Sequence, residues 1–446
     1  MGVTVVLQNH TISELMQFIR DNGIQFIRLA FCDIFGVQKN ISIMSSQLPQ
    51  AFERGVSFDA SAIAGFANVA ESDLFLFPDL ETFSLLPWRS SQGCVGRFFC
   101  DIRRPDGSPF EGDSRSLLQR TVARAEGMGY TFQFGPECEF YLFQTDEQGR
   151  PTRVPHDQAG YFDIAPVDRG EDFRRELCLT LEEMGIQPER SHHEQGPGQN
   201  EIDFRCSSPL QAADNLMALR SAVKAIAAQH GLYASFLPKP IANQSGSGLH
   251  INLSLHHQGE NLFQGFQRSA SPQAASFLAG VLRRMGEITA FANSLPSSYR
   301  RLGLYEAPSA VTWSCQNRSQ LVRVPAASGP DCRMEVRSPD PACNPYLTVA
   351  LLLEAGLEGL RDRLPLSPPA DFDLYSATPS QKEHLSFLPR SLTEALELAE
   401  ASAFVREMMP PAMLENYLAH KRREAWQYDS GEEGYEQELA HFFERV

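Results

Sequence analysis

The sequence predicts an α+β protein with a small N-terminal domain and a larger second domain, on three observations. Runs that alternate apolar and polar residues, the period of a half-buried strand, are interleaved along the chain with segments of helical period. The chain has 446 residues, more than one hydrophobic core comfortably serves. A polar, turn-rich stretch, RRPDGSPFEGDSR at 103–115, reads as a boundary. The expected domains are 1–103 and 104–446.

In order along the chain, Thr11 and Glu14 form a capping box ahead of Leu15, Phe18 and Ile19, and Gly23 stops that short helix. Ile24 to Cys32 and Val37 to Ile43 alternate around Asp33-Ile34-Phe35-Gly36, which predicts a hairpin. The stretch from there to about residue 100 reads as loop-rich. Ser116 to Met128 reads as an amphipathic helix that leads into a strand at FGPECEFYLF. Further helices are expected over 171–185, 209–230, 272–295 and 344–361, with strands between them. The region 364–390 reads as a surface excursion and 391–446 as helical and charged.

Composition narrows the function. Thirty-nine basic against 55 acidic residues give a net charge of −16, which disfavours nucleic acid and anionic membranes. Nine cysteines contain no CxxC pair and read as reduced core residues of a cytoplasmic protein. MGVTVVLQNH lacks a basic, then apolar, leader, and Val6 breaks the myristoylation pattern. Tyr346 to Leu360 is apolar but interrupted by Glu354, Gly356 and Glu358, so no membrane span is expected.

Three segments carry chemistry. Glu137 and Glu139 alternate with Cys138 and Phe140; His250, Asn252 and Ser254 alternate with Leu249, Ile251 and Leu253; Arg333, Glu335 and Arg337 alternate with Met334 and Val336. Residues two apart on a strand share a face at roughly 7 Å. Each segment therefore has an apolar back and a charged front. Exposed carboxylates on a sheet edge would need no partner, but the apolar run Phe140 to Phe143 argues for burial, and buried like charges require a cation or a raised pKa. Glu194 and Glu201 flank the turn Gly196-Pro197-Gly198, which folds both toward one point; the adjacent His192 and His193 read as structural. Carboxylates with one imidazole are hard ligands suited to Mg²⁺ or Mn²⁺ rather than zinc. Arg301, Arg318, Arg323, Arg333 and Arg337 add a cationic set suited to phosphate and carboxylate. No P-loop or GxGxxG fingerprint is present. Two classes remain on the residues alone: metal-assisted phosphoryl transfer from ATP, and two-metal hydrolysis.

These motifs resemble glutamine synthetase of the type I bacterial family over nearly the whole chain. FDASAIAGF is similar to that family's FDGSS segment, ESDLFLFPD to its continuation, and GPECEFYLF to GPEPEFFLF. SHHEQGPGQNEIDF, KPIANQSGSGLHINLSL, NRSQLVRVP and RMEVRSPDPACNPYL match the remaining signatures in order, and LPRSLTEAL suits the alpha-type branch. The resemblance implies an N-terminal β-grasp domain, a large catalytic α+β domain and a homododecamer of two hexameric rings with active sites between subunits. It implies ATP, glutamate and ammonium as substrates, with two or three Mg²⁺ or Mn²⁺ per site. By motif, Glu139, Glu194 and Glu201 hold one metal, and Glu137, His250 and Glu335 hold another. Glu189, Ser254 and Arg333 correspond to nucleotide contacts. Arg301 and Arg337 correspond to the groups that hold the glutamate carboxylates, and Gly246 to its amino-end contact. Asp59 of a neighbouring subunit takes a proton from ammonium, Glu306 closes the site, and Arg318 and Arg323 neutralise the transferring phosphoryl group.

The departures lie on the amine and glutamate side. NSLPSSYRRLGLYEAP stands where the family has NPTVNSYKRLVPGYEAP: Ser294 replaces proline, Ser298 replaces asparagine, and the segment before Glu306 is one residue shorter. Ser245 replaces an asparagine before the GSG turn, Ala60 and Ala62 replace glycine and serine beside Asp59, and Asn68 stands where a regulatory arginine is usual. An intact ATP half with a drifted acceptor half fits a divergent glutamine synthetase, which retention of Asp59 and Glu306 favours. The alternatives are a γ-glutamyl ligase for another amine (a polyamine, ethanolamine or an aniline) and a nucleotide-binding homologue without turnover.

Overall fold

The computed structural model describes residues 11–66, 72–89, 93–429 and 431–446. Asn68 lies outside them. The helix at Ile12–Asp21 carries the expected capping box, with Thr11 and Glu14 bonding each other's backbone N–H. The hairpin forms as strands Phe26–Cys32 and Gln38–Met44 in antiparallel register, with the Asp33 carboxylate accepting from the N–H of Phe35 and Val37 in the turn.

The stretch that reads as loop-rich is strand-rich instead. Val56–Asp59, Asp73–Pro78, Ser84–Leu85 and Val95–Arg103 complete a six-stranded sheet among the described residues. Most of these strands are too short to show a period. Val95–Arg103 is buried along most of its length, so it lacks the alternation that marks a half-exposed strand. The path order is Gln38–Met44, Phe26–Cys32, Val95–Arg103, Asp73–Pro78, Val56–Asp59, and Phe26–Cys32 runs parallel to Val95–Arg103.

Among the described residues the second sheet has ten strands, ordered Trp313–Cys315, Val322–Val324, Met334–Val336, Leu249–His257, Tyr130–Thr145, Gln199–Phe204, Pro188–His193 on its main path. Helices Ser114–Gly127, Pro209–Gln229, Pro272–Ala292 and Pro345–Asp362 lie within one or a few residues of the expected spans. The last is buried along nearly its whole length, as its mostly apolar sequence requires. It meets Pro272–Ala292 at backbone contact: a Cβ added to Gly280 would stand 2.1 Å from the Ala355 carbonyl oxygen. The region 364–390 holds one short helix, Pro379–Lys382, and the C-terminal segment is helical as expected.

Buried polar groups join the two sheets. Arg115 donates to Asp79 and Asp101 on the N-terminal side and to Asp214 on the catalytic side, all within 3.0 Å. Asn344 donates to the carbonyls of Asp33 and Ile34 while its own oxygen caps helix Pro345–Asp362. The nine cysteines form no disulfide; Cys94 and Cys206 are exposed, while Cys32, Cys100, Cys138, Cys332 and Cys343 are buried. Among the described residues no helix is long and apolar enough to cross a membrane.

Candidate active site

Strand register builds the acidic wall. In the central strand Glu137 stands opposite His250 and Asp203, and Glu139 stands opposite Glu201. Glu201 in turn faces His192, Asn252 faces Glu335, and Glu335 faces Arg323. Six strands thus present one continuous charged face, while Cys138, Ile202 and Ile251 fill the apolar back without exposure. The cavity in front of this face is about 360 Å³ and takes in Glu137, Glu139, Glu194, Glu201 and His250. Its rim carries Gly246, Arg301, Glu306, Arg318 and Arg337, the last of which also donates to Glu335 of the wall.

Distances show which groups meet. His250 Nδ1 lies 3.1 Å from Glu137 and 3.7 Å from Glu335, and its Nε2 lies 3.9 Å from Glu139. Donor atoms of Glu137, Glu201 and His250 fall within 4.8 Å of one another, as do those of His192, Glu194 and Glu201. The two groups share Glu201. His192, read as structural from sequence, therefore joins the wall: its Nε2 is 3.1 Å from Glu201, a pairing set by cross-strand register. His193 is fully buried 2.9 Å from Asp157, and its donor atom falls within 4.8 Å of those of Asp157 and Asp168.

Burial drives the electrostatics. The Glu194 carboxyl is pushed up to about 8 by desolvation and by Glu139. Desolvation and Glu137 raise Asp203 to about 7, and desolvation with Asp203 and Glu139 pushes Glu201 well above the carboxylate range. Burial would also raise Glu137, but the hydrogen bond and charge of His250, with the Asn252 amide donating at 3.0 Å, pull it down to about 2. Glu335 is likewise desolvated, yet Arg337 and Arg323 hold it low; Arg323 Nη1 donates to it at 2.8 Å and Arg337 also donates to it. The wall holds more buried carboxylate than its own cations neutralise.

The rim is built on loops. Tyr305 and Glu306 both take left-handed backbone, φ 47° and 64°, which non-glycine residues adopt at an energetic cost. The loop closes through Gly303 N–H to Ala307 O, and Tyr305 donates to the Asn243 carbonyl at 3.0 Å. Glu306 then stands 3.7 Å from Arg337. Gly246 has no room for a side chain: a Cβ there would sit 2.2 Å from the Pro238 carbonyl oxygen. The Arg301 Nη groups donate to the carbonyls of Arg337, Ser338 and Pro339, which leaves its Nε without a hydrogen-bond partner among the described residues.

The remaining expected residues lie at the margins. Ser254 and Arg333 continue the face beyond Asn252, and Arg333 Nε donates to Asn252 at 2.8 Å. Glu189 is exposed near the start of strand Pro188–His193, outside the cavity lining. Asp59 is exposed on the N-terminal sheet, capped by Ser61 at 2.6 Å, and is not gathered with the cavity of its own chain.

Sequence reading misses Gln199. Its Nε2 donates to Glu139 at 2.8 Å and to the Gly246 carbonyl at 3.2 Å, and its Oε1 accepts from Ser245. One buried amide thus ties the acidic wall to the glycine turn. Its neighbour Glu201 holds the more conspicuous charge, and nothing in the local pattern distinguishes Gln199. Tyr161 and Tyr305, also on the lining, come from loops without a period. The departures Ser294 and Ser298 are both satisfied, by the Ala342 carbonyl and the Leu295 N–H.

Comparison with known proteins places this geometry. The family description "Glutamine synthetase, beta-Grasp domain" matches residues 23–105, and "Glutamine synthetase, catalytic domain" matches 111–439. A glutamine synthetase of Clostridium saccharobutylicum is 45% identical over 425 residues, covering 94% of this chain and 96% of that protein. One from Methanosarcina mazei is 43% identical over 423 residues, covering 94% and 95%. A solved structure described as "GmaS/ADP complex-Conformation 1" superposes with a TM-score of 0.85 at 30% identity, over 96% of this chain and 99% of that one. Plasmodium falciparum glutamine synthetase, at 23% identity and a TM-score of 0.84, covers 96% and 99% and speaks for the fold alone. The chain, a β-grasp domain followed by a catalytic α+β domain, belongs to the glutamine synthetase family.

Proposed function

We propose that this chain is an ATP-dependent carbon–nitrogen ligase that joins ammonium to the γ-carboxylate of glutamate through γ-glutamyl phosphate, releasing glutamine, ADP and phosphate. The observation that carries this reading is the surplus of buried carboxylate on one wall, facing a guanidinium-bearing rim across a cavity of about 360 Å³.

Divalent metal fits the wall. Burial without an offsetting cation raises Glu194, Glu201 and Asp203 above the usual carboxylate range. Their oxygens and two imidazoles suit Mg²⁺ or Mn²⁺. Glu137, Glu139, Glu194, Glu201, His250 and Glu335 are the residues that would hold it, with His192 beside them. Bound there, the metal would supply Lewis-acid neutralisation of phosphate charge.

The chain's own groups do the rest. Arg318 and Arg323 offset charge on the transferring phosphoryl group. Arg337 and the free Nε of Arg301 receive the glutamate carboxylates, and the Gly246 turn admits its amino end. Ser254, Arg333 and Glu189 orient the nucleotide. Glu306, on its strained loop, covers the cavity and keeps water from the acyl phosphate. Asp59 is exposed and remote from its own cavity, which supports its delivery to a neighbouring subunit's site in a ring assembly, a double hexamer by family resemblance. There it attracts ammonium and takes its proton.

Phosphate release with ATP, Mg²⁺ and glutamate, screened against ammonium, ethanolamine, polyamines and small anilines, tests the reading. Ammonium-dependent turnover is expected. Turnover only with a larger amine would reassign the enzyme as a γ-glutamyl ligase of that amine, and ATP binding without turnover would make it a nucleotide-binding homologue.

A further inference from the structure

Helix Gly431–Phe442 lies against the segment Pro296–Arg301, whose last residue receives a glutamate carboxylate in the function proposed for the main cavity. The helix buries Gly434, Tyr435, Leu439 and Phe442, and with them Glu438, which has no exposed surface. Glu438 Oε1 accepts from the Ser297 N–H at 3.0 Å. Its Oε2 is buried and has no hydrogen-bond partner among the described residues. Burial pushes this carboxyl up to about 7. Charged or neutral, it keeps an oxygen that can accept the Ser297 N–H. A buried carboxyl with one oxygen unused is a costly partner for a single N–H. The cost is accounted for if the carboxyl places Ser297.

The same helix holds the rim of the cavity at two more points. Arg300 donates to Glu432 at 2.8 Å and to the Gly431 carbonyl, and its guanidinium stands 4.5 Å from the Tyr435 ring. The Tyr435 hydroxyl donates to the Lys239 carbonyl at 2.7 Å. Lys239 begins the stretch that runs to Gly246, and its ammonium lies 4.6 Å from the ring of Tyr305, the neighbour of Glu306. Gly246 and Arg301 are in contact: a Cβ at Gly246 would stand 2.9 Å from the Arg301 Cγ. Carbonyls of Arg337, Ser338 and Pro339 fix the Arg301 Nη groups. The backbone that carries Arg301 is fixed from the other side, by the bonds of Ser297 and Arg300 to the helix.

We propose that Glu438 is a positioning residue for glutamate: by holding the Ser297 N–H it sets where the backbone presents Arg301, and so whether the Arg301 Nε meets the substrate carboxylate. This rests on the glutamate role of Arg301 in the proposed function. A displacement of Arg301 by about 1 Å is enough to weaken such a contact severely.

The test uses the full chain, with the glutamate Kd from calorimetry in ADP and Mg²⁺ and the KM values from ammonium-dependent phosphate release. Glu438→Leu removes the acceptor and keeps the bulk. It is expected to raise the Kd and the KM for glutamate about tenfold and to leave the KM for ATP unchanged. Glu438→Gln keeps an acceptor oxygen in place and is expected to bind glutamate as wild type does. Glu438→Asp draws the acceptor back by one methylene and is expected to show part of the rise. Glutamate affinity lost in Glu438→Leu and kept in Glu438→Gln supports the inference even where the amine proves not to be ammonium. An unchanged glutamate Kd in Glu438→Leu, an equal rise in the KM for ATP, or a Glu438→Gln variant as impaired as Glu438→Leu would each overturn it. So would failure of Glu438→Leu to fold together with wild-type glutamate affinity in Glu438→Asp.

Discussion

The two sides of the main cavity are made differently. Glu137, Glu139, Glu201, His250 and Glu335 sit on strands, and their neighbours are fixed by ladder register. A one-residue slip would turn all of them into the apolar core, so the wall and the fold are specified together. Glu306, Tyr305, Tyr161 and Gly246 sit on loops, with Tyr305 and Glu306 in left-handed backbone and Tyr305 donating to the Asn243 carbonyl. The strand wall is rigid and costly to bury; the loop rim is adjustable. Of the sequence departures, Ser245 lines the cavity beside Gly246, while Ser294 and Ser298 are buried outside its lining, and each has a hydrogen-bond partner.

Substitutions can break that division. Glu137→Ala removes the carboxylate that His250 and Asn252 both contact, and phosphate release should fall by about 10³-fold or more with any amine. Asp59→Ala should lower kcat/KM for ammonium by about 10²-fold while trapping of the acyl phosphate by hydroxylamine stays near wild type. Equal losses of acyl phosphate in both variants would show that phosphoryl transfer and use of the amine are not separate functions of these residues. Gln199→Leu sharpens the comparison, because its amide spans the two sides. It should weaken both metal affinity and glutamate KM by about tenfold, where a residue of one side alone would move only one of them.

The smallest effect is on stability. Glu194 and Asp203 titrate at about 8 and about 7 in the folded protein because burial disfavours their charge. Unfolded, they titrate at about 4.3 and 3.9. Between those values the folded state holds protons that the unfolded chain has released. Metal-free protein should therefore be most stable near the acid end of that window and lose stability as pH rises toward 8. Mg²⁺ should flatten the slope and expel protons on binding, read by calorimetry in buffers of different ionisation enthalpy. A metal-free stability that rises over this range would contradict the burial of these carboxylates.

Legibility follows periodicity. Glu137, Glu139, His250 and Glu335 are visible in the sequence because a charged residue at every second position of an apolar strand marks one face as the lining of a polar cavity. The sheet at Val56–Asp59 and Val95–Arg103 is not visible there, since a four-residue strand is too short to establish a period and the second strand is buried along most of its length. His192 and Gln199 escape notice for a different reason. Their roles arise from cross-strand and turn partners 9 to 60 residues away, and no local pattern records those partners. Glu438 likewise reads as one charged helix residue among several until its burial against Ser297 is seen in three dimensions.

Sequence by itself determined the fold class, the helix spans, the strands with a charged face and the hard-ligand chemistry of that face. These depend on interactions a few residues apart, which composition and period encode directly. Tertiary structure alone decided which carboxylates share a centre, that Glu201 serves two donor groups, that Arg301 gives most of its donors to backbone carbonyls, and that Glu438 lies against the segment that carries Arg301. Each of those depends on how strongly a charge is desolvated and by what it is faced. Both are properties of packing between distant segments, and they exist only once the chain has closed on itself.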